Sequence, residues 1–225
     1  MAEYKYETHL HTKPVSKCAV TTVEESLKFY KQKGYDGVFV TNHFLDGNIG
    51  IYSELPYEER IEFYCSDYEE AKKLESQIGI KVFFGVELAF PHMLVYGIDK
   101  AWFLAHKDFD KLTTRQKLDM LNEAGAFIVQ AHPFREESWI DHVALYPNDV
   151  SAIEVIKSGC KELWNKMAKI YADNYNLPQT AGTDMHNVTG DRSLGVVKTK
   201  KPINSVKDYI DAVKNREVEV SLETQ

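Results

Sequence analysis

The chain has 225 residues with a formal net charge of −7, and 44% of its residues are hydrophobic and 27% are charged. These are the proportions of a globular protein, and they exclude extensive disorder. The acidic balance argues against a partner such as long duplex nucleic acid or an anionic membrane surface, since both require a basic surface.

Strand-like and helix-like segments alternate along the chain. Residues 4–11 predict a first strand, and Thr22 with Glu25 forms a capping-box pattern that begins a helix ending near Gly34. The further predicted strands are 37–43, 81–87, 93–98, 126–132, 152–157, 179–184, 194–198 and 218–222, and the further predicted helices are 57–79, 114–125, 163–170 and 206–213. This alternation predicts a mainly parallel sheet covered by helices, either open or closed into a barrel, in one domain over residues 1–225.

The cysteines and the N-terminal segment indicate where the protein resides. Cys18, Cys65 and Cys160 are widely spaced and form no CxxC pair, so no disulfide framework is predicted. The N-terminal residues lack an apolar signal segment, and no stretch approaches the roughly 18 apolar residues of a membrane span. We therefore expect a cytoplasmic protein with no membrane partner, and the sequence leaves its oligomeric state open.

Residue types that bind metals occur at the ends of the predicted strands. Parallel strands end at one edge of a sheet or barrel, so these side chains are expected to converge there. A single histidine in an apolar strand is usually an ordinary core or surface residue, whereas six of the eight histidines occupy such positions; His106 and His142 do not. The candidates are His9, His11, His43, Glu87, His132, Asp184 and His186, with His92 just before a strand.

The spacing and types of these residues favour a multimetal site. In a strand, His9 and His11 point to the same face, and Asp184 and His186 repeat that spacing. Imidazole and carboxylate ligands without a cysteine cluster favour Zn, Mn or Fe, and eight candidates suit two or three divalent cations. Glu87 is the one glutamate among them and is able to bridge two cations. Such a site predicts hydrolysis, with phosphoester cleavage favoured.

Six short motifs, taken in order, resemble those of the PHP (polymerase and histidinol phosphatase) superfamily of metal-dependent phosphoesterases. They are THLHT at 8–12, TNH at 41–43, GVE at 85–87, PHMLVYG at 91–97, AHP at 131–133 and GTDMH at 182–186. The resemblance implies an α/β fold, a distorted TIM-like (β/α)7 barrel with mainly parallel strands and outer helices. It also implies that the cations lie at the C-terminal ends of the strands.

The resemblance also implies roles for individual residues. One cation would be held by His9, His11, Glu87 and Asp184. Glu87 would bridge to a second cation held by His92 and His132, and His43 and His186 would belong to a third. Asp184 and His43 are candidates for the catalytic group that protonates the leaving group, as is a metal-bound water.

Three positions depart from the family's pattern. Asn42 stands where the family usually has aspartate, which removes a carboxylate beside His43. Lys17 and Cys18 occupy the region that usually supplies a further ligand to the third cation. Lys17 is either an exposed lysine or a contact for the substrate phosphate, and Cys18 is either a thiolate ligand or a small buried residue. Whether a third cation binds is therefore left open.

A phosphate dianion also needs donors from the protein. Arg135 follows the AHP motif and Arg192 follows Asp184 and His186, and a guanidinium matches phosphate oxygens bidentately. For both arginines the alternative is ion pairing at the surface. Residues 45–56 form a long connection at the expected rim, where Tyr52 or Phe44 is a candidate for stacking on a substrate ring.

These observations predict hydrolysis of a phosphate ester, a small-molecule or nucleotide phosphomonoester, by a metal-activated water. Metal-dependent amide hydrolysis on a related barrel is an alternative with similar ligands, and cleavage of short oligonucleotides is a variant of the same chemistry. A non-catalytic module that binds metal or phosphate is the third alternative. The natural substrate is not determined by the sequence because loops around a common cluster set selectivity.

Overall fold

The computed structural model describes residues 3–89, 91–189 and 193–224. Its strands are β1 (Tyr4–Leu10), β2 (Gly37–Val40), β3 (Lys81–Phe84), β4 (Val86–Leu88), β5 (Met93–Tyr96), β6 (Phe127–Gln130), β7 (Ala152–Lys157), β8 (Gln179–Gly182), β9 (Leu194–Thr199) and β10 (Val218–Glu223). Its α-helices are α1 (Val23–Gln32), α2 (Tyr57–Ile78), α3 (Lys100–Ala105), α4 (Thr114–Glu123), α5 (Glu162–Asn174) and α6 (Val206–Lys214), with a 3-10 turn at Phe109–Lys111.

The strands form two five-stranded sheets. The first has the order β10-β9-β1-β2-β3, and the second has the order β4-β5-β6-β7-β8. Strands β1, β2 and β3 are parallel, as are β6, β7 and β8, but β9 runs antiparallel to β1 and β10, and β5 runs antiparallel to β4 and β6. The fold is therefore mixed α/β, and the expectation of mainly parallel strands is wrong. The antiparallel pairing of β4 and β5 follows from the short connection 89–92, because a connection between parallel strands needs about a dozen residues or more.

The strand predicted at residues 81–87 is divided between the two sheets. It breaks at Gly85, so that β3 belongs to the first sheet and β4 to the second. A Cβ atom at Gly85 would lie 2.7 Å from Thr41 Cγ2 and 3.0 Å from the Tyr96 ring, so no side chain fits at this crossing. Two isolated parallel bridges, Leu10 with Met185 and His43 with Glu87, join the sheets near the strand ends.

One aromatic core lies between the sheets and the last helix. Its fully buried rings come from both sheets and from α6, and Phe39 of β2 lies 5.3 Å from Tyr96 of β5 between ring centroids. Tyr96 also donates a hydrogen bond of 2.6 Å from Oη to the Thr8 carbonyl of β1. Each buried ring removes about 150–250 Å² of surface area from water, so this aromatic core holds the two sheets together.

The helices follow the predicted pattern with two additions. Thr22 and Glu25 form a reciprocal capping box at α1, and Val23, Leu27 and Tyr30 are its buried face. Helix α3 and the 3-10 turn were not predicted, because six and three residues are too few to show a helical period. Over the described ranges 3–89, 91–189 and 193–224, no helix has the length and apolar character needed to cross a membrane.

Candidate metal centre

The strand ends bring all the predicted ligand residues into one cluster. His9 and Glu87 lie within β1 and β4, and the others follow β1, β2, β6 and β8 within a few residues. His92 precedes β5 instead, because β5 runs antiparallel to its neighbours and therefore begins at the edge where they end. The cluster consists of His9, His11, His43, Glu87, His92, His132, Asp184 and His186.

The Glu87 carboxylate lies at the centre of this cluster. Its side chain is 1% exposed, and imidazole nitrogens surround both oxygens. The distances from Oε1 are 3.2 Å to His9 Nε2, 3.1 Å to His92 Nδ1 and 3.6 Å to His132 Nε2. The distances from Oε2 are 2.7 Å to His43 Nδ1 and 3.3 Å to His11 Nε2. A carboxylate between imidazoles on two sides is placed to bridge two cations.

Asp184 connects the imidazoles to two fixed positive charges. Its Oδ1 atom lies 3.5 Å from His9 Nε2, 3.2 Å from His11 Nε2 and 3.6 Å from His186 Nδ1. Its Oδ2 atom lies 3.1 Å from Lys157 Nζ and 3.2 Å from Arg135 Nη1. Lys157 was not predicted from the sequence, where a lysine at the end of a strand has no distinguishing feature.

The donor atoms form four groups, each compact enough to hold one cation. Two of the groups, His9 with His11 and Asp184, and Glu87 with His92 and His132, follow the first two ligand sets that the resemblance implied. A third group joins His11 to the expected pair His43 and His186. The fourth consists of His9, His132 and Glu154, and Glu154 was not predicted.

Several buried nitrogen and oxygen atoms in the cluster have no good hydrogen-bond partner and could instead coordinate a cation. His132 Nε2 is buried without a hydrogen-bond partner, and Glu87 Oε2 lies close to two imidazole nitrogens without a hydrogen bond to either. His9 Nε2 lies 3.2 Å from His11 Nε2, and His186 Nε2 lies 3.5 Å from His43 Nε2. An unpaired buried polar atom costs about 1–3 kcal/mol, and coordination to a divalent cation would satisfy these nitrogens and oxygens together. The donor set therefore suggests divalent metal binding.

The carboxylates of the cluster are held in the ionised form. Burial raises the pKa of Glu87, but His92, His43 and His9 outweigh burial and hold that pKa well below its ordinary value. Burial likewise raises the pKa of Asp184, and Lys157 with His9 and His11 brings it well below the usual range. Both carboxylates are therefore charged at neutral pH, as a metal ligand must be.

The pKa values of the imidazoles in the cluster shift in different directions, depending on the charged groups beside each ring. Burial lowers the pKa of His9, but Glu154, Asp184 and Glu87 raise it well above the ordinary value. Burial together with the neighbouring imidazoles of His43 and His186 lowers the pKa of His11 well below that value. The same cavity thus contains imidazoles that favour opposite protonation states, because three carboxylates lie against His9 while two other imidazoles lie against His11.

Glu154 supports two of these ligands from behind. Its side chain is fully buried in β7, where Oε1 lies 2.9 Å from His9 Nδ1 and Oε2 accepts a hydrogen bond of 3.0 Å from the His132 backbone N–H. Carboxylates that contact the second nitrogen of a ligating histidine orient the ring and fix its tautomer. The sequence signal was a glutamate within the apolar strand AIEVIK, since glutamate is almost never fully buried without a partner.

A hydrogen-bond chain supports His11 and explains the position of Asn42. His11 Nδ1 lies 3.1 Å from Ser16 Oγ, which donates a 2.7 Å hydrogen bond to Asn42 Oδ1. Asn42 Nδ2 in turn donates to Asp67 Oδ2 of α2 at 3.1 Å, and Oδ2 also accepts from the Thr12 hydroxyl at 2.7 Å. The carboxylate missing at position 42 is therefore replaced by the one at Asp67, one hydrogen bond further from the cluster.

The backbone at the cluster adopts conformations that are unusual for residues with side chains. His132 has φ of 26° and Asp184 has φ of 52°, both in the left-handed region. Such strain concentrates at functional sites where surrounding contacts impose it. Gly182 permits close approach of β8, since a Cβ there would lie 2.5 Å from His9 Cβ and 2.8 Å from Glu154 Oε1.

The predicted phosphate contacts have different outcomes. Arg135 lies in the cluster against Asp184, and its guanidinium also stacks 5.7 Å from the centroid of the exposed Trp139 ring. Lys17 is exposed, and its ammonium has no ion-pair partner among the residues that the structure describes. Arg192 lies outside the described residues. Of the two that the structure describes, Arg135 is the one that contacts a ligand residue.

Two other sequence expectations are corrected. Phe44 was a candidate for stacking on a substrate, but it is fully buried and packs 4.7 Å from Phe103 and 5.1 Å from Tyr64 between ring centroids. Tyr52, the other candidate, is 80% exposed. Cys18 is exposed, not a small buried residue, and the imidazoles of His43 and His186 act on its thiol. Burial raises its pKa, but these two imidazoles lower it to about 6 overall.

A groove elsewhere on the surface is a weaker candidate for the functional site than this cluster. It has a volume of about 810 Å³ and lies between β9, α6 and β10, away from every predicted ligand. Its lining mixes basic and acidic side chains, among them Lys198, Lys200, Lys201, Arg216, Asp208 and Glu217. Mixed charge of this kind specifies no class of ligand.

Residues 162–218 match a family model described as PHP-associated. The matched segment includes Asp184 and His186 and extends from α5 to the start of β10. No curated protein matches the chain.

The fold is similar to that of three solved structures. One is a two-domain protein from Bacteroides vulgatus containing a predicted PHP-like metal-dependent phosphoesterase, with a TM-score of 0.69 and 15% identity over 99% of this chain. This chain spans 65% of that protein. The second, from Bifidobacterium adolescentis, has the provisional name metal-dependent phosphoesterase, with a TM-score of 0.56, 14% identity and coverage of 95% and 96%. The third is an amidohydrolase from Chromobacterium violaceum with bound sulfate and no metal, with a TM-score of 0.52, 12% identity and coverage of 95% and 97%.

At these identities the similarity shows a shared fold alone. The family match is independent of it, and it covers the segment that contains the last of the six motifs. The family match supports the resemblance to the PHP superfamily inferred from the motifs at residues 8–186.

Proposed function

We propose that this protein is a metal-dependent phosphoesterase that hydrolyses a small-molecule or nucleotide phosphomonoester with water as the nucleophile. The arrangement around Asp184 carries this proposal. One carboxylate oxygen faces His9 and His11, and the other is held by Lys157 at 3.1 Å and Arg135 at 3.2 Å. Proposed cation ligands and fixed positive charges thus lie on two sides of one carboxylate, which suits a phosphate dianion.

The proposed ligand sets are those that the resemblance implied, and the donor groups support them in part. His9, His11, Glu87 and Asp184 would hold one cation, Glu87, His92 and His132 a second, and His43 and His186 a third. Imidazole and carboxylate donors suit Zn, Mn or Fe. Divalent cations bound at such a site lower the pKa of water and polarise phosphoryl oxygens.

The residues of the chain would bind the substrate and carry the proton. Arg135 would exchange its contact with Asp184 for two phosphate oxygens, and Lys157 would keep Asp184 ionised while it does so. Asp184 and His43 are the proposed proton carriers for the leaving group. If His43 binds a cation through Nε2, that nitrogen cannot also hold a proton. Asp184 would then have to take up a proton from the attacking water before it could pass one to the leaving group. Lys17 and Arg192 remain proposed phosphate contacts.

We further propose that the two sheets together form a distorted (β/α)7 barrel in a single domain over residues 1–225. The bridges Leu10 to Met185 and His43 to Glu87, together with the shared aromatic core, support this arrangement. The net charge of −7 supports a small substrate over a long duplex. A cytoplasmic location remains part of the proposal.

The central test compares hydrolysis of a panel of phosphomonoesters and diesters by the protein loaded with Zn²⁺, Mn²⁺ or Fe²⁺ and by the chelated protein. We expect turnover of a monoester that a chelator abolishes and added metal restores. Glu87→Ala and Asp184→Ala should abolish this turnover while leaving the chain folded by circular dichroism. The exposed Glu123 offers a matched control, Glu123→Ala, which should retain activity. Near-normal turnover by metal-loaded Glu87→Ala would overturn the proposal.

Amide hydrolysis is the second candidate, favoured by the fold shared with the amidohydrolase from Chromobacterium violaceum. The bound sulfate of that protein is a tetrahedral oxyanion like phosphate, so this similarity is compatible with either substrate. Competition separates the two reactions, because inorganic phosphate should inhibit a phosphoesterase and simple carboxylates should not. Metal binding without turnover of any ester or amide would instead indicate a non-catalytic module.

A further inference from the structure

The connection between β6 and β7 carries Arg135 and extends over residues 131–151. The structure describes every residue of this connection, and none of them lies in a helix or a strand. Connections of more than about 12–15 residues without secondary structure are uncommon and are usually functional. Because His132 follows directly after the end of β6, this connection leaves the sheet beside the proposed cation ligands.

Both ends of the connection are held by hydrogen bonds. At its start, the Arg135 backbone N–H donates to the His132 carbonyl at 3.0 Å. Towards its end, the buried side chain of Gln130 donates from Nε2 to the Ala144 carbonyl at 2.6 Å. The segment 136–143 between these contacts therefore has fixed ends.

Trp139 belongs to this segment, and its ring lies against Arg135. The residue is 65% exposed, although tryptophan usually has most of its surface buried. The ring centroid lies 5.7 Å from Arg135 Cζ, which is within the range of a cation–π contact. Arg135 Nη1 in turn lies 3.2 Å from Asp184 Oδ2, and Nε lies 3.4 Å from Glu137 Oε1. An exposed aromatic surface is thus held one side chain away from the ligand cluster.

We propose that Trp139 is a stacking platform for a planar aromatic ring in the leaving group of the substrate. This inference rests on the proposed phosphoesterase function and narrows its substrates to monoesters whose alcohol carries such a ring. A phosphate bound by Arg135 would lie between the proposed cations and the indole, so that the leaving group extends towards Trp139. Stacking suits this role because it needs no hydrogen-bond partner and accepts any planar ring.

Two kinds of monoester provide such a ring. In an aryl phosphate the ring bears the ester oxygen, and in a nucleoside monophosphate a sugar separates the base from the phosphate. Phenyl phosphate with cyclohexyl phosphate is a matched pair for the first kind, since the two differ in the aromaticity of the ring. Adenosine 5′-monophosphate with ribose 5-phosphate is the pair for the second kind, since the two differ in the base.

The ratio of kcat/KM within each pair tests the platform. We expect Trp139→Ala to lower kcat/KM for the aromatic member of at least one pair about 10- to 100-fold more than for its partner, and Trp139→Phe to restore most of that difference. The pair that responds identifies the source of the ring. Tyr175→Ala, which removes another exposed aromatic ring, is the control and should leave both ratios unchanged. Equal losses within both pairs would show that Trp139 acts only by supporting Arg135, and either this result or no loss at all would overturn the proposal.

Tryptophan fluorescence measures the same contact without hydrolysis. When the metal-loaded protein is mixed with an ester by stopped flow, binding precedes turnover, and an aromatic ring stacked on Trp139 should quench its emission. Trp139→Phe should lose this quenching, whereas Trp164→Phe, which removes an indole that is 9% exposed, should keep it. Persistence of the quenching in Trp139→Phe, or no quenching by either aromatic ester, would contradict stacking.

The two readouts separate this inference from the function on which it rests. Quenching through Trp139 without turnover of any ester would refute only the phosphoesterase. Turnover with ratios that do not depend on Trp139 would refute only the stacking platform.

Discussion

Glu154 Oε1 lies 2.9 Å from His9 Nδ1, and both side chains are fully buried. With Nδ1 directed at this carboxylate, His9 Nε2 faces Glu87 and Asp184. The second oxygen of Glu154 accepts the backbone N–H of His132, whose φ is 26°. One carboxylate in β7 thus orients two proposed ligands without belonging to any of the three proposed ligand sets.

Replacing Glu154 should therefore weaken metal binding more than it changes the fold. We expect Glu154→Gln to lower the affinity for divalent metal by about 10- to 100-fold, the usual effect of losing a partner of a ligating histidine. Glu154→Ala should lower it further, because it also leaves the His132 N–H without an acceptor. Competition with a chromophoric chelator measures the affinity, and Glu123→Gln is the surface control. An unchanged affinity in Glu154→Ala would contradict this role.

Arg135 should contribute to phosphate binding and not to metal binding. Its guanidinium is 20% exposed and reaches Asp184 from the side open to solvent. We expect Arg135→Gln to weaken inhibition by inorganic phosphate about 10- to 100-fold, since a hydrogen bond to a charged group contributes about 1.5–3 kcal/mol. Metal content should stay as in the native protein. Arg115→Gln, which removes an exposed guanidinium paired with Asp149, is the control. Equal inhibition of Arg135→Gln and the native protein would remove Arg135 from the site.

Gly182 should be intolerant of any side chain because of what lies beside it. A methyl group there meets His9 Cβ and Glu154 Oε1, so Gly182→Ala should lower the free energy of unfolding by about 1–3 kcal/mol and also weaken metal binding. Gly34 has φ of 78° and open space around it, so Gly34→Ala should cost about 1–2 kcal/mol through backbone strain alone. Urea unfolding and chelator competition separate the two. Native metal affinity in Gly182→Ala would contradict the packing argument.

Asp67 should make the protein less stable as the pH rises. Burial raises its pKa, whereas the hydrogen bonds from Thr12, Val15 and Asn42 lower it by less. The folded chain therefore binds this proton more tightly than the unfolded chain. The free energy of unfolding consequently falls as the pH increases from about 4, the unfolded pKa, through the raised folded pKa, and it is constant above.

The variant Asp67→Asn removes that dependence. All three hydrogen bonds go to the single atom Oδ2, which the amide oxygen of asparagine can replace. Relative to the native protein, Asp67→Asn should gain stability between acidic and neutral pH, by about 1.4 kcal/mol for each unit by which folding raises the pKa. Asp67→Ala loses the three bonds and should be less stable at every pH. Urea unfolding over a series of pH values from about 4 upwards measures both variants. Parallel pH curves for the Asp67→Asn variant and the native protein would contradict the argument.

Much of the local structure could be predicted because it depends on near neighbours. Alternation and apolar runs located the strands, and the capping box at Thr22 located α1. The direction of the strands could not be predicted in the same way, since pairing is decided by contacts between residues far apart. Gly85 illustrates this limit: residues 81–87 predict one strand, yet the chain changes sheets there, where Thr41 and Tyr96 leave no room for a side chain.

The sequence by itself determined which residues stand at the strand ends and in what order the six motifs occur, because a strand of period two directs alternate side chains to one face. Only the tertiary structure decided which groups surround them. Glu154 reaches His9 across 145 positions, and Asp67 reaches Asn42 from α2. Lys157 and Arg135 meet at one oxygen of Asp184. These contacts depend on how two sheets pack around a common core, and no periodicity along the chain encodes that packing.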